Sequence, residues 1–469
     1  MLYNIDNQQD TIVALATAPG VGAIGVIRLS GENAIEICDA FFHGKKLSAQ
    51  PSHTIHLGTI RDEENRILDE VLVSLFKTPK SYTRENVVEI SCHGSPYILQ
   101  QVVQLFLRNG ARMANAGEFT LRAFLNGQLD LSQAEAVADL ISSSSEASHS
   151  VAMQQMRGGI SLEIKRLREE LINFASLIEL ELDFGEEDVE FANRDALKAL
   201  MEKINRYINA LLQSFQLGNA IKNGISTVIA GRPNAGKSTL LNALLNEERA
   251  IVSEIAGTTR DTIEEVLNIK GVEFRLIDTA GIREATDAIE KIGVAKTMEK
   301  IEQSSLLLYV FDVIETEPKE VIEDLKQLLN GNQKLVVVCN KMDFNPYFSG
   351  EELLKAQGDE VFLTKENIIA VSAKNEMNIP YLKEKLYSAA IEGNINQESI
   401  IVSNSRHYDA LNKANASLKD ALHALENNVT SDFMALDIRR ALSYLGEITG
   451  DVSVEDLLGN IFSKFCIGK

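Results

Sequence analysis

The sequence predicts a multidomain α/β and α fold, in which an α/β domain is inserted into a discontinuous helical domain and an α+β domain precedes both. Strand-like runs alternate with short helical ones over residues 1–125. Helical periodicity dominates residues 126–220 and returns over residues 389–469. Between them, residues 221–388 alternate apolar strands with amphipathic helices, which is typical of a parallel sheet covered by helices. We therefore expect four segments with these bounds.

The helical segments carry helix-start signals and an apolar stripe. Ser132 and Glu135 form a capping-box pattern before AVADLI, and Ser453–Asp456 forms an N-cap pattern before LLGNIFSKF. We expect GNAIKNG (218–224) to link the first helical stretch to the α/β domain. Periodicity leaves open whether the two helical stretches pack together or form separate units. The stripe is spaced for one helix face and consists of Leu162, Leu167, Leu171, Phe174 and Ile178.

The α/β segment opens with a phosphate-binding pattern. Residues 231–238 read GRPNAGKS, a G-x-x-x-x-G-K-[ST] loop between an apolar strand pattern and an amphipathic helix pattern. Gly231 and Gly236 let the backbone bend so that its N–H groups face phosphate oxygens. Lys237 reaches the β and γ oxygens, and the Ser238 hydroxyl coordinates Mg²⁺. The strand–loop–helix context is the one that this loop requires.

Four more signatures follow in the order that a guanine-nucleotide site needs. They are GTTRD, DTAG, NKMD and SAK, and the last three end strand patterns, where open α/β sheets bind ligands. Thr259 completes the Mg²⁺ shell, Asp278 supports it with a carboxylate, and Asp343 accepts two hydrogen bonds from guanine that adenine cannot offer. We therefore predict a Ras-like P-loop GTPase domain. Its GTP contacts are assigned to Asn234, Ala235, Gly236, Lys237, Ser238, Thr239, Ser253, Glu254, Ile255, Ala256, Gly257, Thr258, Thr259, Asp278, Thr279, Ala280, Gly281, Asn340, Lys341, Asp343, Ser372, Ala373 and Lys374.

Composition narrows the class of protein. The sequence begins with no signal-peptide pattern and contains no apolar run near 18 residues, so we expect a cytoplasmic protein without a membrane partner. The formal net charge is −21, and a protein that grips nucleic acid by itself usually shows a basic face. Any RNA contact must use a local basic patch or a partner's surface. Cys38, Cys92 and Cys339 lie in apolar runs and are expected to be buried thiols.

The catalytic water lacks its usual partner. Small Ras-like GTPases place a glutamine directly after DTAG, whereas this chain has Ile282, which forms no side-chain hydrogen bond. Hydrolysis is therefore poor, or another group orients the water. Arg283, Glu284 and Glu290 follow in the same stretch, and a carboxylate can orient water by accepting its hydrogen bond. Solvation of a helix is the competing interpretation of these charges.

The chain resembles the MnmE (TrmE) family of bacterial tRNA-modification GTPases, of the TrmE-Era-like class. The similarity covers all proposed segments, from SYTRENVVEISCHGS (81–95) and GEFTLRAFLNGQLDLSQAEAVADLI (117–141) through the GTPase motifs. It extends to LGEITGDVSVEDLLGNIFSKFCIGK (445–469), whose terminal CIGK generic GTPases lack. The resemblance implies an N-terminal α+β domain that binds tetrahydrofolate and dimerises, a helical domain, and a GTPase domain inserted into it.

The resemblance also implies chemistry and partners. Members of this family act with the FAD-dependent MnmG, as a heterotetramer, on the wobble uridine of certain tRNAs. They form an aminomethyl or carboxymethylaminomethyl group at C5, with a 5-formyl- or methylene-tetrahydrofolate as the one-carbon source. Their GTPase domains pair in a K⁺-dependent manner, and the K⁺ takes the place of an arginine finger.

Carried over by position, the family's functional residues fall on specific side chains here. Asn234 is the K⁺ ligand, with backbone carbonyls near Ser253, Ile255 and Thr258, and Glu290 is the catalytic switch glutamate. The folate positions share charged or amide side chains and are Arg28, Glu89, Gln128 and Lys469.

Some of these assignments have alternatives. Arg28 and Glu89 could equally form a strand ion pair, and Gln128 departs from relatives that carry lysine, which puts its contribution to folate affinity in doubt. Cys466 is a possible thiol nucleophile or a packing residue.

Two other classes of GTPase remain as alternatives. A ribosome-assembly GTPase switch shares the nucleotide motifs but performs no one-carbon chemistry and usually carries a basic RNA-binding domain, which the net charge disfavours. A dynamin-type mechanical GTPase needs a membrane-binding face, and no basic amphipathic helix is found in the sequence.

Overall fold

The computed structural model describes residues 10–183, 194–245, 264–278, 304–329, 333–358, 362–390, 400–427 and 431–451, together with Leu458, Ile461, Phe462, Phe465 and Gly468. The chain forms two compact units. The first contains Met1–Ile141, Met153–Asn205 and Ala410–Lys469, and the second contains Ser142–Ala152 and Arg206–Asp409.

The first unit contains a seven-stranded sheet, with strand order β3-β4-β5-β6-β2-β1-β7. All neighbouring strands are antiparallel except β1 and β7, which are parallel. Two amphipathic helices, α1 (Ala34–Phe41) and α2 (Pro96–Arg108), contribute apolar side chains to its core. The strands are β1 (Thr11–Leu15), β2 (Ile24–Ser30), β3 (Phe42–His43), β4 (Thr54–Arg61), β5 (Ile67–Phe76), β6 (Val87–His93) and β7 (Ala111–Met113).

The two faces of this sheet differ, because successive strand residues point to opposite sides. One face carries Ile27, Leu29 and Ile90, which pack with α1 and α2 in the domain core. The intervening residues Arg28 and Glu89 point to the other face, and they are register partners across β2 and β6. That second face is therefore where the polar candidates of the N-terminal domain lie.

The helices of the first unit join distant parts of the sequence. Helix α6 (Gly159–Asp183) packs along α13 (Ser431–Thr449), so the helical stretches on either side of the α/β segment form one discontinuous domain rather than two. Arg168 on α6 forms an ion pair with Asp451, which follows α13 in the sequence. The other helices with residues in this unit are α3 (Glu118–Leu125), α4 (Leu131–Ser142), α5 (Glu146–Met156), α7 (Arg194–Asn223) and α12 (Ser405–Glu426).

Three local predictions for these helices are wrong. Helix α4 already begins at Leu131, so its reciprocal cap is formed by Asp130 and Gln133, whose side chains each accept the other's backbone N–H at 3.0 Å. Ser132 and Glu135 are instead buried. Leu162 is 66% exposed and lies outside the stripe, whose Leu167, Leu171 and Ile178 are buried. The expected linker 218–224 is helical to Asn223, and Ser453–Asp456 lies outside the described residues.

The C-terminal residues that the structure describes pack onto the start of the helical domain. Leu458, Phe462 and Phe465 share a buried cluster with Leu121 and Leu131. Gly117 begins α3 with φ +68°, and a Cβ there would lie 2.8 Å from the Phe462 carbonyl oxygen. This close approach requires glycine and fixes the tail against α3.

A charged cluster holds β1, β7 and α3 together. Arg122 donates to Asp10 (2.6 Å), Glu85 (3.2 Å) and Glu118 (3.2 Å), and Arg112 donates to Asp10 and Glu118 at 2.6 Å. Burial works to raise the pKa of Asp10 and of Glu118, but hydrogen bonds from these arginines outweigh it and leave both below their ordinary values.

We expect Glu118→Gln to lower the free energy of unfolding at pH 7 by about 3 kcal/mol, because it leaves the buried Arg122 short of a negative partner. A carboxyl with a lowered folded pKa stabilises the fold above its unfolded value, here 4.5, and this contribution is lost as pH falls through the folded value. Urea unfolding should therefore separate wild type from variant at pH 7 and bring them together near about pH 3. The exposed pair Glu63–Arg108 supplies the control Glu63→Gln, which should behave as wild type at both pH values.

The second unit contains a six-stranded sheet in the order β13-β12-β11-β8-β10-β9. Five strands are parallel, and the edge strand β9 is antiparallel to β10. The bounds are β8 (Ile225–Ala230), β9 (Glu264–Ile269), β10 (Val272–Asp278), β11 (Leu306–Asp312), β12 (Lys334–Asn340), β13 (Ile368–Ala370), α8 (Lys237–Leu245), α9 (Pro318–Leu328), α10 (Glu351–Ala356) and α11 (Ile379–Ala390).

The central strands of this unit form its buried core. Every residue of β11 is buried, as is all of β12 after Lys334, which is what a central parallel strand covered on both faces requires.

Cys339 lies in this core, and burial raises the pKa of its thiol to about 12. Cys38 and Cys92 are buried in the first unit, so all three predicted buried thiols are confirmed, while Cys466 lies outside the described residues. Among the described helices, none has the length and apolarity to cross a membrane.

Candidate functional site

The parallel strands of the second unit bring the predicted nucleotide motifs to one edge. β8 runs into the phosphate loop, β10 ends at Asp278, β12 ends at Asn340, and β13 is followed by Ser372. The carboxyl ends of parallel strands in an open sheet form the usual ligand crevice. Motifs that are far apart in the sequence therefore lie side by side at this edge of the sheet.

Close packing shapes the phosphate loop. Gly231 has φ +149°, and a Cβ there would lie 2.0 Å from the Val310 carbonyl oxygen of β11. Gly236 has φ +89°, and its Cβ would lie 2.3 Å from Asn340 Nδ2. Asn234 is exposed and also has positive φ, +62°, which asparagine tolerates better than most residues. Only glycine fits at the first two positions, so the loop presents backbone rather than side chains to its ligand.

The start of α8 supplies the charge and donors that phosphate needs. Lys237 is its first residue and is buried, and its Nζ donates to the carbonyl oxygens of Gly231 and Arg232 at 2.9 Å each. Ser238 and Thr239 follow and are exposed. The N–H groups of a helix's first turn carry partial positive charge and are not used within the helix. This cradle fits a phosphate group.

A hydrogen-bonded network connects the base-recognition motifs to the loop. Asn340 Nδ2 donates to the Ala235 carbonyl oxygen at 2.9 Å, and its Oδ1 accepts the Ala373 N–H at 3.0 Å. The Ser372 hydroxyl donates to Asp343 Oδ1 at 2.7 Å. Asp343 is exposed, so this bond orients a carboxylate that faces solvent. The geometry suits a carboxylate that pairs with the N1–H and 2-amino group of guanine.

Sequence reasoning missed Asp312. This buried residue ends β11, and its Oδ2 lies 2.6 Å from Lys341 Nζ. Lys341 has φ +66°, so the ion pair holds the second residue of NKMD in an uncommon backbone conformation. The signal was available, since an acidic residue at the end of the apolar run LLLYVFD repeats the pattern of the other strand-end motifs.

Sequence reasoning also missed Arg232 inside the phosphate loop. Its guanidinium lies 2.5 Å from Glu320 Oε1 and 2.8 Å from Asp324 Oδ2, both on α9. Asp324 Oδ2 also accepts the buried Tyr309 hydroxyl, and burial together with this carboxylate raises the pKa of Tyr309. The hydrogen bonds that Arg232 donates to Asp324 and Glu320 raise the pKa of Arg232 above its ordinary value. The loop is thus held from its outer side by two carboxylates.

We expect Arg232→Ala to raise the KM for GTP about fivefold and to change kcat by less than about twofold, because a half-exposed pair of this kind contributes about 1 kcal/mol to loop position. Arg232→Lys keeps the positive charge but not the paired N–H donors of the guanidinium, and its KM should lie between those of wild type and Arg232→Ala. Steady-state hydrolysis separates the two constants. The exposed pair Lys365–Glu351 in the same domain supplies Lys365→Ala as the control, and an equal effect there would remove the role from Arg232.

The structure describes only some of the other predicted site residues. Asp278 ends β10, but its side chain is not among those described. Lys374 follows Ala373 and is exposed. The remaining predicted GTP, Mg²⁺, K⁺, catalytic and folate positions outside the described residues are Ser253, Glu254, Ile255, Ala256, Gly257, Thr258, Thr259, Thr279, Ala280, Gly281, Glu290 and Lys469.

In the first unit, Arg28 and Glu89 lie together on the second face of the sheet. The Nε and Nη2 of Arg28 both lie 2.8 Å from Glu89 Oε1. The guanidinium carbon is 5.7 Å from the Tyr82 ring centroid and 5.5 Å from that of Phe119. Arg28 Nη1 also donates to the Gly468 carbonyl oxygen at 3.5 Å. The strand ion pair is thus present, and the two rings and the Gly468 carbonyl leave it partly enclosed; we call this place the recess.

Gly468 is held closely at this recess. It has φ +97°, and a Cβ there would lie 2.1 Å from the Leu15 carbonyl oxygen at the end of β1. The structure therefore brings residue 468 to within hydrogen-bond range of Arg28, 440 positions earlier.

Gln128 lies beside Arg84, which is not among the predicted folate residues. Its Oε1 accepts Arg84 Nε at 2.9 Å, and Arg84 Nη1 donates to the Asn126 carbonyl oxygen at 2.9 Å. Gln128 also lines a cleft with Tyr82, whereas Arg28 and Glu89 do not line it. The folate candidates are thus divided between a recess and a neighbouring cleft, with Tyr82 at both.

Comparison with known proteins decides the family. A model of the MnmE helical domain matches residues 131–466, and a model of the GTP-binding protein TrmE N-terminus matches residues 11–128. The chain belongs to the MnmE family. The two matches together cover the N-terminal sheet, the discontinuous helical domain and the nucleotide-binding unit within it. The resemblance given by the sequence motifs is therefore confirmed.

Full-length MnmE relatives are similar throughout. The tRNA modification GTPase MnmE of Cytophaga hutchinsonii is 56% identical over 468 residues, which is 99% of each chain. The protein of the same name from Flavobacterium johnsoniae is 55% identical over 98% of this chain and 99% of its own. That from Bacteroides thetaiotaomicron is 50% identical over 98% of this chain and all of its own.

Solved structures match only in part. Aquifex aeolicus Era bound to GDP and aluminium fluoride is 26% identical over 41% of this chain and 66% of its own, with a TM-score of 0.28. The G domain of the T. maritima FeoB iron transporter is 26% identical over 36% of this chain and 99% of its own, with a TM-score of 0.27. Similarities of this extent carry no argument about the MnmE fold, which the strand order and the family models establish.

Proposed function

We propose that this chain is a K⁺-dependent GTP hydrolase that acts with MnmG on tRNA. Together they would add a carboxymethylaminomethyl or aminomethyl group at C5 of the wobble uridine, with a one-carbon unit from a tetrahydrofolate. The observation that carries the proposal is the nucleotide crevice, where hydrogen bonds hold Lys237, Asn340 and Asp343 at one sheet edge. The chain is also at least 50% identical to three proteins named tRNA modification GTPase MnmE.

The residues of the crevice divide the work of hydrolysis. Lys237 and the first turn of α8 bind the phosphates and offset charge that develops on the β and γ oxygens. Ser238 and Thr259 would hold Mg²⁺, which supplies further charge at the same oxygens. Asp343 selects guanine, and Glu290 orients the attacking water. Asn234 would contribute an amide oxygen to K⁺, and backbone carbonyls near Ser253, Ile255 and Thr258 would complete its shell.

The folate is proposed to bind at the recess of the N-terminal domain. Glu89 accepts hydrogen bonds from the amino edge of the pterin, as a carboxylate does for paired N–H donors. Arg28 is held for carbonyl or anionic groups by Glu89 and by the tail carbonyl at Gly468. Lys469, next to Gly468, and Gln128 are the other proposed contacts. The charge, the aromatic walls and the close backbone of the recess support a flat, polar-edged ligand.

A homodimer is proposed to form on the second face of the same sheet. Ile55, Leu57 and Leu72 are 66%, 64% and 46% exposed there, and Leu57 and Leu72 are register partners. Strand register places this apolar patch next to Arg28 and Glu89, since Ser74 pairs with Glu89. Exposed apolar residues grouped on one sheet face mark an interface, and a second copy of this chain is the proposed occupant. Leu57→Asp should therefore be a monomer in analytical ultracentrifugation. If this variant still sediments as a dimer, the homodimer does not form on this face.

Turnover should depend on the monovalent cation. We expect GTP hydrolysis in K⁺ to exceed that in Na⁺ by about tenfold or more at equal ionic strength, because a cation held at Asn234 stabilises charge in the transition state. Asn234→Asp retains a residue that tolerates positive φ and should alter the K⁺ response without loss of GTP binding. Equal rates of phosphate release in the two salts would exclude the K⁺ assignment.

The function is tested by mass spectrometry of wobble-uridine nucleosides. tRNA is taken from a host that lacks this chain, and from the same host after its return as wild type or as the phosphate-loop variant Lys237→Ala. We expect the aminomethyl-type nucleosides to be absent from the host without the chain. They should return when wild type is restored and remain absent when Lys237→Ala is restored. An unchanged nucleoside profile would reject the tRNA assignment in favour of a ribosome-assembly GTPase.

A further inference from the structure

A cleft of about 610 Å³ opens next to the folate recess in the N-terminal domain. This volume lies within the range of small-ligand sites. Tyr82 connects the cleft to the recess, because its ring lines the cleft and stands 5.7 Å from the Arg28 guanidinium carbon. The lining residues are His53, Phe76, Pro79, Lys80, Ser81, Tyr82 and Gln128.

Positive charge is concentrated at this cleft. Lys80 lines the cleft, and Arg84 contacts its lining residue Gln128. Both belong, with Lys77, to the segment KTPKSYTR (77–84), which contains no acidic residue. Lys77 Nζ donates to the Ser48 carbonyl oxygen, and Arg84 donates to Gln128 and to a backbone carbonyl. Within the part of the chain that the structure describes, neither Lys80 nor Arg84 forms an ion pair with a carboxylate. In a protein of net charge −21, cations left without carboxylates indicate an anionic ligand.

We propose that this cleft binds the glutamate tail of the folate and prefers folates with several γ-linked glutamates. The inference rests on the folate site proposed for Arg28 and Glu89. Each added glutamate brings one more carboxylate, for which an ammonium or guanidinium is the matching donor. Tyr82 stands between the recess and the cations, where the benzoyl ring that joins pterin to tail would pass. Arg84 supplies at Gln128 the positive charge that glutamine itself lacks.

The shape of the site favours this ligand over RNA. An RNA backbone spreads its phosphates along an extended basic surface, whereas here Lys80 and Arg84 lie at one cleft beside the recess. The aromatic and imidazole groups of Phe76 and His53, which contact each other at 5.4 Å, bound the cleft on one side. A short flexible tail with closely spaced carboxylates fits such a site.

The test is isothermal titration of the full chain with 5-formyl-tetrahydrofolate as the monoglutamate and as the triglutamate. We expect wild type to bind the triglutamate about tenfold more tightly at low salt, and the preference to shrink as salt is added. Lys80→Gln and Arg84→Gln should each weaken triglutamate binding about fivefold and monoglutamate binding less than about twofold. Arg84→Lys keeps the charge and should keep most of the preference, which separates charge from any disturbance of the turn at Asn126. Arg61→Gln, at the far end of β4 from His53, is the matched control and should change neither affinity.

The outcomes separate the two proposals. Equal binding of both folates by wild type, or equal losses for both in the variants, would overturn the tail site and leave the folate recess intact. Binding of neither folate would reject the folate proposal itself. Equal affinity of wild type for the two folates, together with tRNA binding that Lys80→Gln and Arg84→Gln weaken, would assign the cleft to RNA and overturn the inference.

Discussion

Replacement of Asp343 by asparagine should convert this protein from a guanine to a xanthine nucleotide enzyme. The carboxylate accepts from two donors on guanine, and an amide in its place turns one of these contacts into a donor–donor clash. We expect GTP affinity to fall about 10³-fold and xanthosine triphosphate to become the better substrate, since a site built for paired hydrogen bonds rejects the wrong partner strongly. Fluorescent-nucleotide titration and phosphate release with both nucleotides measure the exchange.

Ser372 supplies the matched control for this change. Its hydroxyl donates to Asp343 Oδ1 at 2.7 Å, so Ser372→Ala removes the orientation of the carboxylate but keeps its charge and acceptors. We expect a loss of about fivefold in GTP affinity with no gain for the xanthine nucleotide. Unchanged guanine preference in Asp343→Asn would show that another group reads the base.

Glu290→Ala should lower the kcat for GTP hydrolysis about 10²-fold and leave GTP affinity nearly unchanged. Ile282 occupies the place of the usual water-orienting glutamine, so another group must align the water. Loss of a carboxylate in this role should lower the rate by about the factor that a general base usually contributes. Glu290 lies outside the described residues, and the prediction rests on the family position. Single-turnover hydrolysis with nucleotide bound in advance isolates the chemical step.

The same stretch offers a control for Glu290. Glu284→Ala removes a neighbouring carboxylate, with Arg283 left in place, and should hydrolyse GTP at the wild-type rate. A slow Glu284 variant beside a normal Glu290 variant would exchange the two roles.

The nucleotide site could be predicted because its parts are local. Four of the five motifs lie at the end of a strand, and parallel strands bring their ends to one edge whatever the loops between them do. Asn340 illustrates what sequence could not provide. Its side chain bonds both Ala235 and Ala373, and these contacts over 105 and 33 positions depend on the packing of three strands rather than on any local pattern.

The N-terminal site was less predictable because its geometry is long-range. Arg28 and Glu89 are partners through strand register, which alternation suggests but does not specify across 61 positions. The Arg84–Gln128 contact joins two loops that share no pattern. The capping box was misplaced by two residues, because Asp130–Gln133 and Ser132–Glu135 both have plausible spacing and only the packing of Leu131 chooses between them.

The position of Gly468 has a consequence for the order in which the protein matures on the ribosome. The first domain to be synthesised keeps an incomplete recess until Leu458, Phe462 and Phe465 can pack against α3 and Gly468 can pack against Leu15. The nucleotide-binding unit has no such dependence within its described contacts, because its sheet and helices are all encoded before residue 410. A nascent chain stopped early would therefore complete the nucleotide crevice before the recess, and messages cut short near their ends would yield a nucleotide-binding unit without the proposed folate site.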